Sequence, residues 1–268
     1  MGRLTVLCAT MHQTDLSKFY EMNIQSDVIF SNQCDRNEVI ETVIDGHKVC
    51  MISTATRGVG LNRNISFMAA QSEYVLFADD DVCYHDGYAE QVLKAFEDLP
   101  QAEMIAFSLD ITKEGKVVEA HHNPIARTRI WNCLKYGACV LAVRTDALRR
   151  ANILYTTLFG GGCLYGSGED SLFVLQCVKS GMKVYSHSYV LGHCAQDTST
   201  WFTGYHEKYF FDKGAWIGAA FPKMGFLLRR YFAMHFRKKT ELSYRQCCRL
   251  MKDGQKGFQK LKTWQNTR

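Results

Sequence analysis

Tyr74-Val75-Leu76-Phe77-Ala78 runs directly into Asp79-Asp80-Asp81. The apolar run reads as a strand. Three adjacent carboxylates repel one another and solvate poorly beside a core, so a strand that delivers them to a sheet edge calls for a cation there. Ligands of open α/β sheets collect at the carboxyl ends of strands. Hard divalent cations such as Mg²⁺ or Mn²⁺ take oxygen ligands from one or two carboxylates together with substrate phosphates. The stretch therefore implies a metal–diphosphate site at a strand end, with a solvated acidic turn as the alternative.

Outward from this strand, extended and helical patterns alternate. Leu4 to Ala9 reads as a short buried strand, Asp15 to Gln25 as helical, and Asp27 to Ser31 as a second strand ending in Asn32 and Gln33. Val39 to Ile44 and Lys48 to Ile52 flank Asp45-Gly46, a hairpin signal. A helix-like stretch follows Thr56-Arg57-Gly58-Val59-Gly60-Leu61-Asn62-Arg63-Asn64 and runs to Gln71. Tyr88 to Leu99 is an amphipathic helix and Met104 to Leu109 another strand. This alternation predicts an α/β fold, a mostly parallel sheet with helices on its faces.

The second half is less regular. Tyr136 to Val143 reads as a strand and Thr145 to Ala151 as a short helix capped by its threonine. Gly160-Gly161-Gly162 is a loop, and Gly166-Ser167-Gly168-Glu169-Asp170 opens a helix to about Ser180. Met182 to Ser186 and Ser188 to Leu191 are strand-like, ending at His193. From Trp201 the pattern is helical, aromatic and then basic. The expected division is residues 1–200 as the catalytic unit and 201–268 as a helical extension.

A length of 268 residues and 47% apolar content fit one large domain or a domain with an appendage, not a disordered chain. With no run of 18 apolar residues, no spanning helix is expected, and the N-terminus does not read as a signal peptide. The 11 cysteines include no Cys-x-x-Cys pair, so reduced cytosolic thiols are expected rather than structural zinc or a catalytic cysteine. Residues 226–268 carry 12 Lys/Arg against Glu241 and Asp253, a net of +10, whereas the remainder has a net of −5. A basic tail on an acidic body points to an anionic surface as the tail's partner.

Three segments in order, Arg57-Gly-Val-Gly-Leu-Asn-Arg-Asn64, Phe77-Ala-Asp-Asp-Asp-Val82 and Gly166-Ser-Gly-Glu-Asp170, together resemble the family-2 glycosyltransferases of the GT-A fold. Members similar to this chain are bacterial enzymes that build capsule, exopolysaccharide or cell-wall glycans. The resemblance covers roughly residues 1–200 and implies a Rossmann-like central sheet flanked by helices. It also implies a metal-dependent, inverting hexosyltransferase that moves a sugar from a nucleotide sugar, a UDP-sugar, to a hydroxyl of a glycan or lipid-linked acceptor.

The resemblance gives roles to particular residues. Asp81 is the first choice of metal ligand. Asp79 would face the ribose or a metal-bound water, and Asp80, on the opposite face by strand alternation, would hold neighbouring backbone. His193 is the second candidate ligand, with His187 competing, and an imidazole suits Mn²⁺ better than Mg²⁺. Asp170 would be the general base, with Glu169 positioning hydroxyls. A helix start also accommodates such carboxylates without any chemistry. The nucleotide would lie across the strand ends near Thr10, Asn32, Gln33, Asn62, Arg57 and Arg63, with either arginine stacking on the base or pairing with phosphate. Asp35 and Asp45 are candidates for the aspartate that reads uracil in the family, and neither fits the pattern cleanly. Apart from the resemblance, the glycine loop at 160–162 reads either as lying beside the donor sugar or as a connector, and Trp131 and Trp201 either as stacking on a sugar face or, as is commoner for a lone tryptophan, as core.

The tail segment Phe226-Leu227-Leu228-Arg229-Arg230-Tyr231-Phe232, followed by Arg237-Lys238-Lys239, has the composition of a helix lying on an anionic membrane. The alternative is a solvated basic helix packed on the catalytic unit. A cytoplasmic enzyme, peripheral at the inner face of the plasma membrane, is expected, and nucleic acid is not an expected partner. Two rivals remain. A sugar nucleotidyltransferase would need a Gly-rich, basic loop after its first strand, where this chain has Cys8-Ala9-Thr10-Met11-His12. A non-catalytic nucleotide-sugar-binding protein would keep the fold without turnover.

Overall fold

The computed structural model describes residues 2–113, 116–120, 123–195 and 204–261. Trp201 lies outside them.

The strands are β1 (Leu4–Met11), β2 (Asp27–Gln33), β3 (Glu38–Ile44), β4 (His47–Thr54), β5 (Tyr74–Asp79), β6 (Val82–Tyr84), β7 (Met104–Lys113), β8 (Lys116–Ala120), β9 (Ala126–Arg127), β10 (Leu141–Arg144) and β11 (Val184–Ala195). The helices are α1 (Lys18–Glu21), α2 (Val59–Ala69), α3 (Tyr88–Asp98), α4 (Thr145–Ala151), α5 (Glu169–Lys179), α6 (Glu207–Ala220), α7 (Gly225–His235) and α8 (Tyr244–Gln259).

One mixed sheet runs β3-β4-β2-β1-β5-β10-β7-β11-β6, with β8 on β7 and β9 on β11. β4, β2, β1 and β5 are mutually parallel, so their carboxyl ends share one edge. β10 inserts antiparallel between β5 and β7. Asp45 and Gly46 both take positive φ in the β3–β4 turn, as a type I′ hairpin requires. That turn precedes β4, so Asp45 lies at the sheet edge away from the strand ends.

The sheet separates two apolar clusters, and alternation sorts residues between them. Val75 and Phe77 of β5 face one side, with Leu7, Phe67 of α2 and Phe173 of α5. Tyr74, Leu76 and Ala78 face the other, with Val6, Cys8, Phe19 and Phe96 of α3. The C-terminal helices join the first cluster through Phe210, Trp216, Ile217, Leu250 and Met251. Gly214 and Gly254 let α6 and α8 touch, since an added Cβ at either would meet the other helix's backbone at 2.0 Å or less.

Several local expectations change. Of the segment expected as a strand over 136–143, only residues 141–143 are extended, in β10; Ala138–Val140 is a short 3₁₀ turn, and another, Cys133–Lys135, precedes the segment. The chain curls there because Gly137 and Ala138 approach the start of α5: a Cβ at Gly137 would lie 3.7 Å from Asp170 Oδ2. Thr145 does not cap α4; Arg144 holds the cap position and the buried Thr145 hydroxyl has no partner. The two strands expected over 182–191 are one, β11, with register shifts between Ser186 and His193. The helix expected over 15–25 is the single turn α1.

Candidate active site

Register alone brings the acidic strand end to the end of β1. Ala9 pairs with Asp79, so Thr10 and Asp80 follow side by side on the same face. The Thr10 hydroxyl donates to Asp80 Oδ2. Asp79 has the parity of Phe77 and points to the opposite face, where α2 and α5 pack. There it meets Arg63.

Arg63 joins the site's two acidic groups. Its side chain is 3% exposed. Nη2 donates to Asp79 Oδ1 at 2.8 Å, and Nη1 donates to Asp170 Oδ1 at 2.6 Å and more weakly to Glu169 Oε1 at 3.4 Å. The guanidinium lies 5.2 Å from the ring centre of Tyr155. Burial alone would lower the arginine's pKa, but Asp170, Asp79 and Glu169 outweigh it and keep the group charged.

Glu169 and Asp170 are in the first turn of α5, where the helix dipole favours anions. Gly168 starts that helix at φ +112°, and a Cβ there would lie 2.4 Å from Trp216 of α6. Asp212 of α6 accepts from the Gly166 backbone N–H at 2.9 Å and from Lys208, which ties this loop to the C-terminal helices. Gly160, at φ +108°, lets its loop pass Glu169, since a Cβ would lie 2.8 Å from the carboxyl carbon.

Burial pushes the Asp170 carboxyl up to about 7. Arg63 opposes that rise, and Glu169 and Asp79 add to it. Burial also raises Asp81, with Asp79 and Asp80 reinforcing it and a hydrogen bond from the Cys194 thiol working against it. Carboxyls that burial pushes up in a cleft are the raw material of acid–base chemistry.

A cavity of about 330 Å³ lies between these walls, lined by Thr10, Gln33, Asn62, Arg63, Asp79, Asp80, Asp81, Gly161, Glu169 and Asp170, among others. The strand end at 79–81 and the helix start at 169–170 therefore face the same space. Among the described residues its lining holds five carboxyl groups, which are hard oxygen donors, and one guanidinium. A diphosphate entering this excess of negative charge would be repelled unless a cation entered with it. The donor set fits Mg²⁺ or Mn²⁺ on that count.

The remaining sequence candidates separate by strand parity. Gln33 lines the cavity, and its Oε1 accepts from the Gly58 N–H at 2.7 Å at the start of α2. Asn62 also lines it but is spent on structure, accepting from the Ser31 hydroxyl and donating to the Ser31 carbonyl at 2.8 Å. Asn32 points away: it holds Gln13 through both amide atoms and donates to Ser53 at 3.0 Å. Arg57 is outside the lining and is paired with Asp35 at 2.8 Å and the Cys34 carbonyl at 3.0 Å, which also occupies Asp35. Arg63 is a buried counter-ion rather than an arginine free to stack on a base.

The structure does not bring His193 to the aspartates. It is absent from the cavity lining, and by alternation it faces away from its neighbour Cys194, whose thiol bonds Asp81. Its ring lies 6.2 Å from that of His85. His187 instead accepts from the Tyr189 N–H at 3.1 Å beside Phe107. Among the described residues no three His, Cys, Asp or Glu side chains gather as a metal cluster, because Asp79, Asp80 and Asp81 turn to Arg63, Thr10 and Cys194. Trp131 is 82% exposed and outside the lining. Sequence reading missed Cys194, Tyr155 and Asp212. Strand parity at the end of β11 would have offered Cys194; Tyr155 and Asp212 carry no local signal.

Residues 26–155 match the sequence profile of Glycosyl transferase family 2. No curated protein sequence matches the chain. Among solved structures, S. aureus TarS 1-349 in complex with UDP-GlcNAc superposes with a TM-score of 0.62 at 12% identity, covering 98% of this chain and 93% of that one. The complex of the same protein with UDP gives 0.59 at 15% identity, covering 88% and 72%. At these identities the likeness is one of fold.

Proposed function

We propose that this chain, whose residues 26–155 match the family-2 profile and whose fold is that of TarS, is a family-2 glycosyltransferase, a metal-dependent, inverting enzyme using a UDP-sugar donor. The acceptor would be a hydroxyl of a glycan or lipid-linked sugar in bacterial surface polysaccharide synthesis. The observation that carries the proposal is the single cavity in which Asp79 to Asp81 face Asp170 across Arg63. TarS, solved with UDP-GlcNAc and with UDP, supports UDP as the nucleotide and makes UDP-GlcNAc the first donor to test.

In this scheme the free oxygens of Asp79 and Asp81 would hold Mn²⁺ or Mg²⁺, with Asp80 fixed by Thr10 behind them. When bound, the cation supplies neutralising charge to the diphosphate leaving group. Asp170 takes the proton from the acceptor hydroxyl as that oxygen attacks the anomeric carbon. One displacement with one base inverts the configuration. A base near 7 holds a substantial unprotonated fraction at neutral pH and still accepts a proton readily. Arg63 opposes the rise of Asp170 and pairs with Asp79 at 2.8 Å, and Glu169 orients hydroxyls at the cleft wall.

The test is a panel of nucleotide sugars screened for Mn²⁺-dependent hydrolysis and transfer. Asp170→Asn should lower turnover by about 10²–10⁴-fold while UDP affinity persists. Full turnover in that variant, or no turnover of any donor by the wild type, would refute the catalytic assignment. The second outcome describes a non-catalytic binder.

A further inference from the structure

The inner face of α7 is well packed. Gly225, Ala233 and Phe236 are buried, and Leu228 and Phe232 pack on the same core, with Phe232 6.2 Å ring to ring from Trp216 of α6. The opposite arc has a different character. Phe226, Leu227, Tyr231 and Met234 are 59, 63, 59 and 59% exposed. At 100° per residue these four, with Arg230 among them, form one continuous face. Single exposed apolar residues are ordinary, but four on one arc of a three-turn helix form a patch that calls for a partner.

Charge identifies the partner. Residues 222–240 contain six Lys/Arg and no Asp or Glu, on a chain whose residues 1–225 are net negative. Arg229 turns inward to Gln255, but the others are outward or flanking. Lys223 stands before the helix, Arg237, Lys238 and Lys239 follow it, and all four are exposed. Arg230 lies 3.7 Å above the ring of Phe226, its charge beside the apolar arc. Apolar side chains in the middle with cations at both ends suit a planar interface whose interior is hydrocarbon and whose rim is phosphate. A folded protein partner would have to supply an acidic frame around an apolar centre, which is a more special surface.

We propose that α7 is a membrane-docking helix that seats this protein on an anionic bilayer through Phe226, Leu227, Tyr231 and Met234, with Lys223, Arg230 and Arg237–Lys239 on lipid phosphates. The helix is firmly coupled to the site. α7 packs on α6, Trp216 of α6 donates to Ser171 at 3.0 Å, and Asp212 of α6 holds Gly166. Docking there fixes the loop before Asp170 relative to the bilayer. That this serves delivery of a lipid-linked acceptor rests on the glycosyl-transfer proposal; the docking itself does not.

The test is co-sedimentation of the full chain with vesicles of phosphatidylcholine alone or with about 30% phosphatidylglycerol. Binding should require the anionic lipid and weaken at least about tenfold between about 0.05 and about 0.5 M salt. The Leu227→Asp/Tyr231→Asp double variant and, separately, Arg230→Glu/Lys238→Glu should each bind at least about tenfold more weakly. Both should keep the wild-type melting profile and the wild-type rate of donor hydrolysis without vesicles. Equal binding to neutral vesicles, no binding, or full binding by either variant overturns the proposal. So does a concentration-dependent dimer that the first variant dissolves, because a second copy would then cover the face. Vesicle binding by a protein that turns over no donor would count against the enzymatic proposal alone.

Discussion

Replacing Arg63 with methionine removes the only cation among the described residues of the cavity lining while roughly keeping its volume. The arginine is 3% exposed and donates at 2.6 Å to Asp170 and 2.8 Å to Asp79. Breaking a buried pair from one side costs about 3–5 kcal/mol, because the partner is left as an uncompensated charge. The cost depends on pH, and the sign is fixed. Asp170 already sits near 7 in the folded state, against 3.8 as a free group, so its ionisation opposes folding as pH rises from about 4 through 7. Without Arg63, which holds that value down, the Asp170 pKa rises further and the opposition continues to higher pH. The stability deficit of Arg63→Met should therefore grow between pH 5 and pH 9 by up to about 2.7 kcal/mol, two pH units above 7 at about 1.36 kcal/mol each, or about 5–11 °C in melting temperature. The acid limb of kcat/KM should move alkaline by at least about one unit, equivalent to about 1.4 kcal/mol. Arg63→Lys keeps the charge but not the fork, so it should recover stability more than activity. A melting deficit constant across this pH range, with an acid limb that does not move, would show that Arg63 is not the electrostatic partner of Asp170.

Three further outcomes follow from the same geometry. Gly168→Ala places a Cβ 2.4 Å from Trp216 at φ +112° and should cost about 1–3 kcal/mol, with kcat falling more than donor affinity; a thermal melt and a KM-against-kcat comparison check it. Thr10→Val removes the hydroxyl that donates to Asp80 and should weaken UDP and Mn²⁺ binding together by about tenfold, read by calorimetry, without moving the pH profile set by Asp170. Chelation should weaken UDP binding by at least about tenfold, since the diphosphate would then face five carboxyl groups and one guanidinium, and unchanged affinity in EDTA would remove the case for a cation.

Much of this site was written in strand parity and little of it in residue type. The run from Tyr74 to Asp81 announced a strand end, and alternation along β5 decides that Asp79 joins α2 and α5 while Asp80 turns to Thr10 on the other face. The same rule applied along β2 would have separated Gln33, which lines the cavity, from Asn32, which holds the loop at Gln13. Residue type grouped those two amides, and likewise grouped Arg57 with Arg63, although one is spent on a surface loop and the other is a buried counter-ion. His193 misled for a related reason: a histidine at a strand end attracts the metal role, but β11 presents Cys194 to Asp81. Tyr155 and Asp212 were not legible at all, because each reaches the site from a segment remote in sequence, one beneath Arg63 and one behind Gly166.

That last contact changes how the basic C-terminal region should be understood. Residues 201–268 read by composition as an extension, but Asp212 and Trp216 hold the loop that aims Glu169 and Asp170, and α6 and α8 share the core behind them. If α6 only filled space, Asp212→Leu would be close to neutral for turnover, because an apolar side chain of similar volume packs there without an unpaired Oδ1. If instead it aims the loop, that variant takes the acceptor from the Gly166 N–H and from Lys208 and lets Gly168 drift from Trp216. Turnover should then fall about ten- to a hundredfold with UDP affinity retained, since a displacement of an ångström at the base is enough for such a loss. The comparison of the two readouts, kcat and UDP affinity, separates a helix that positions the base from one that merely covers it.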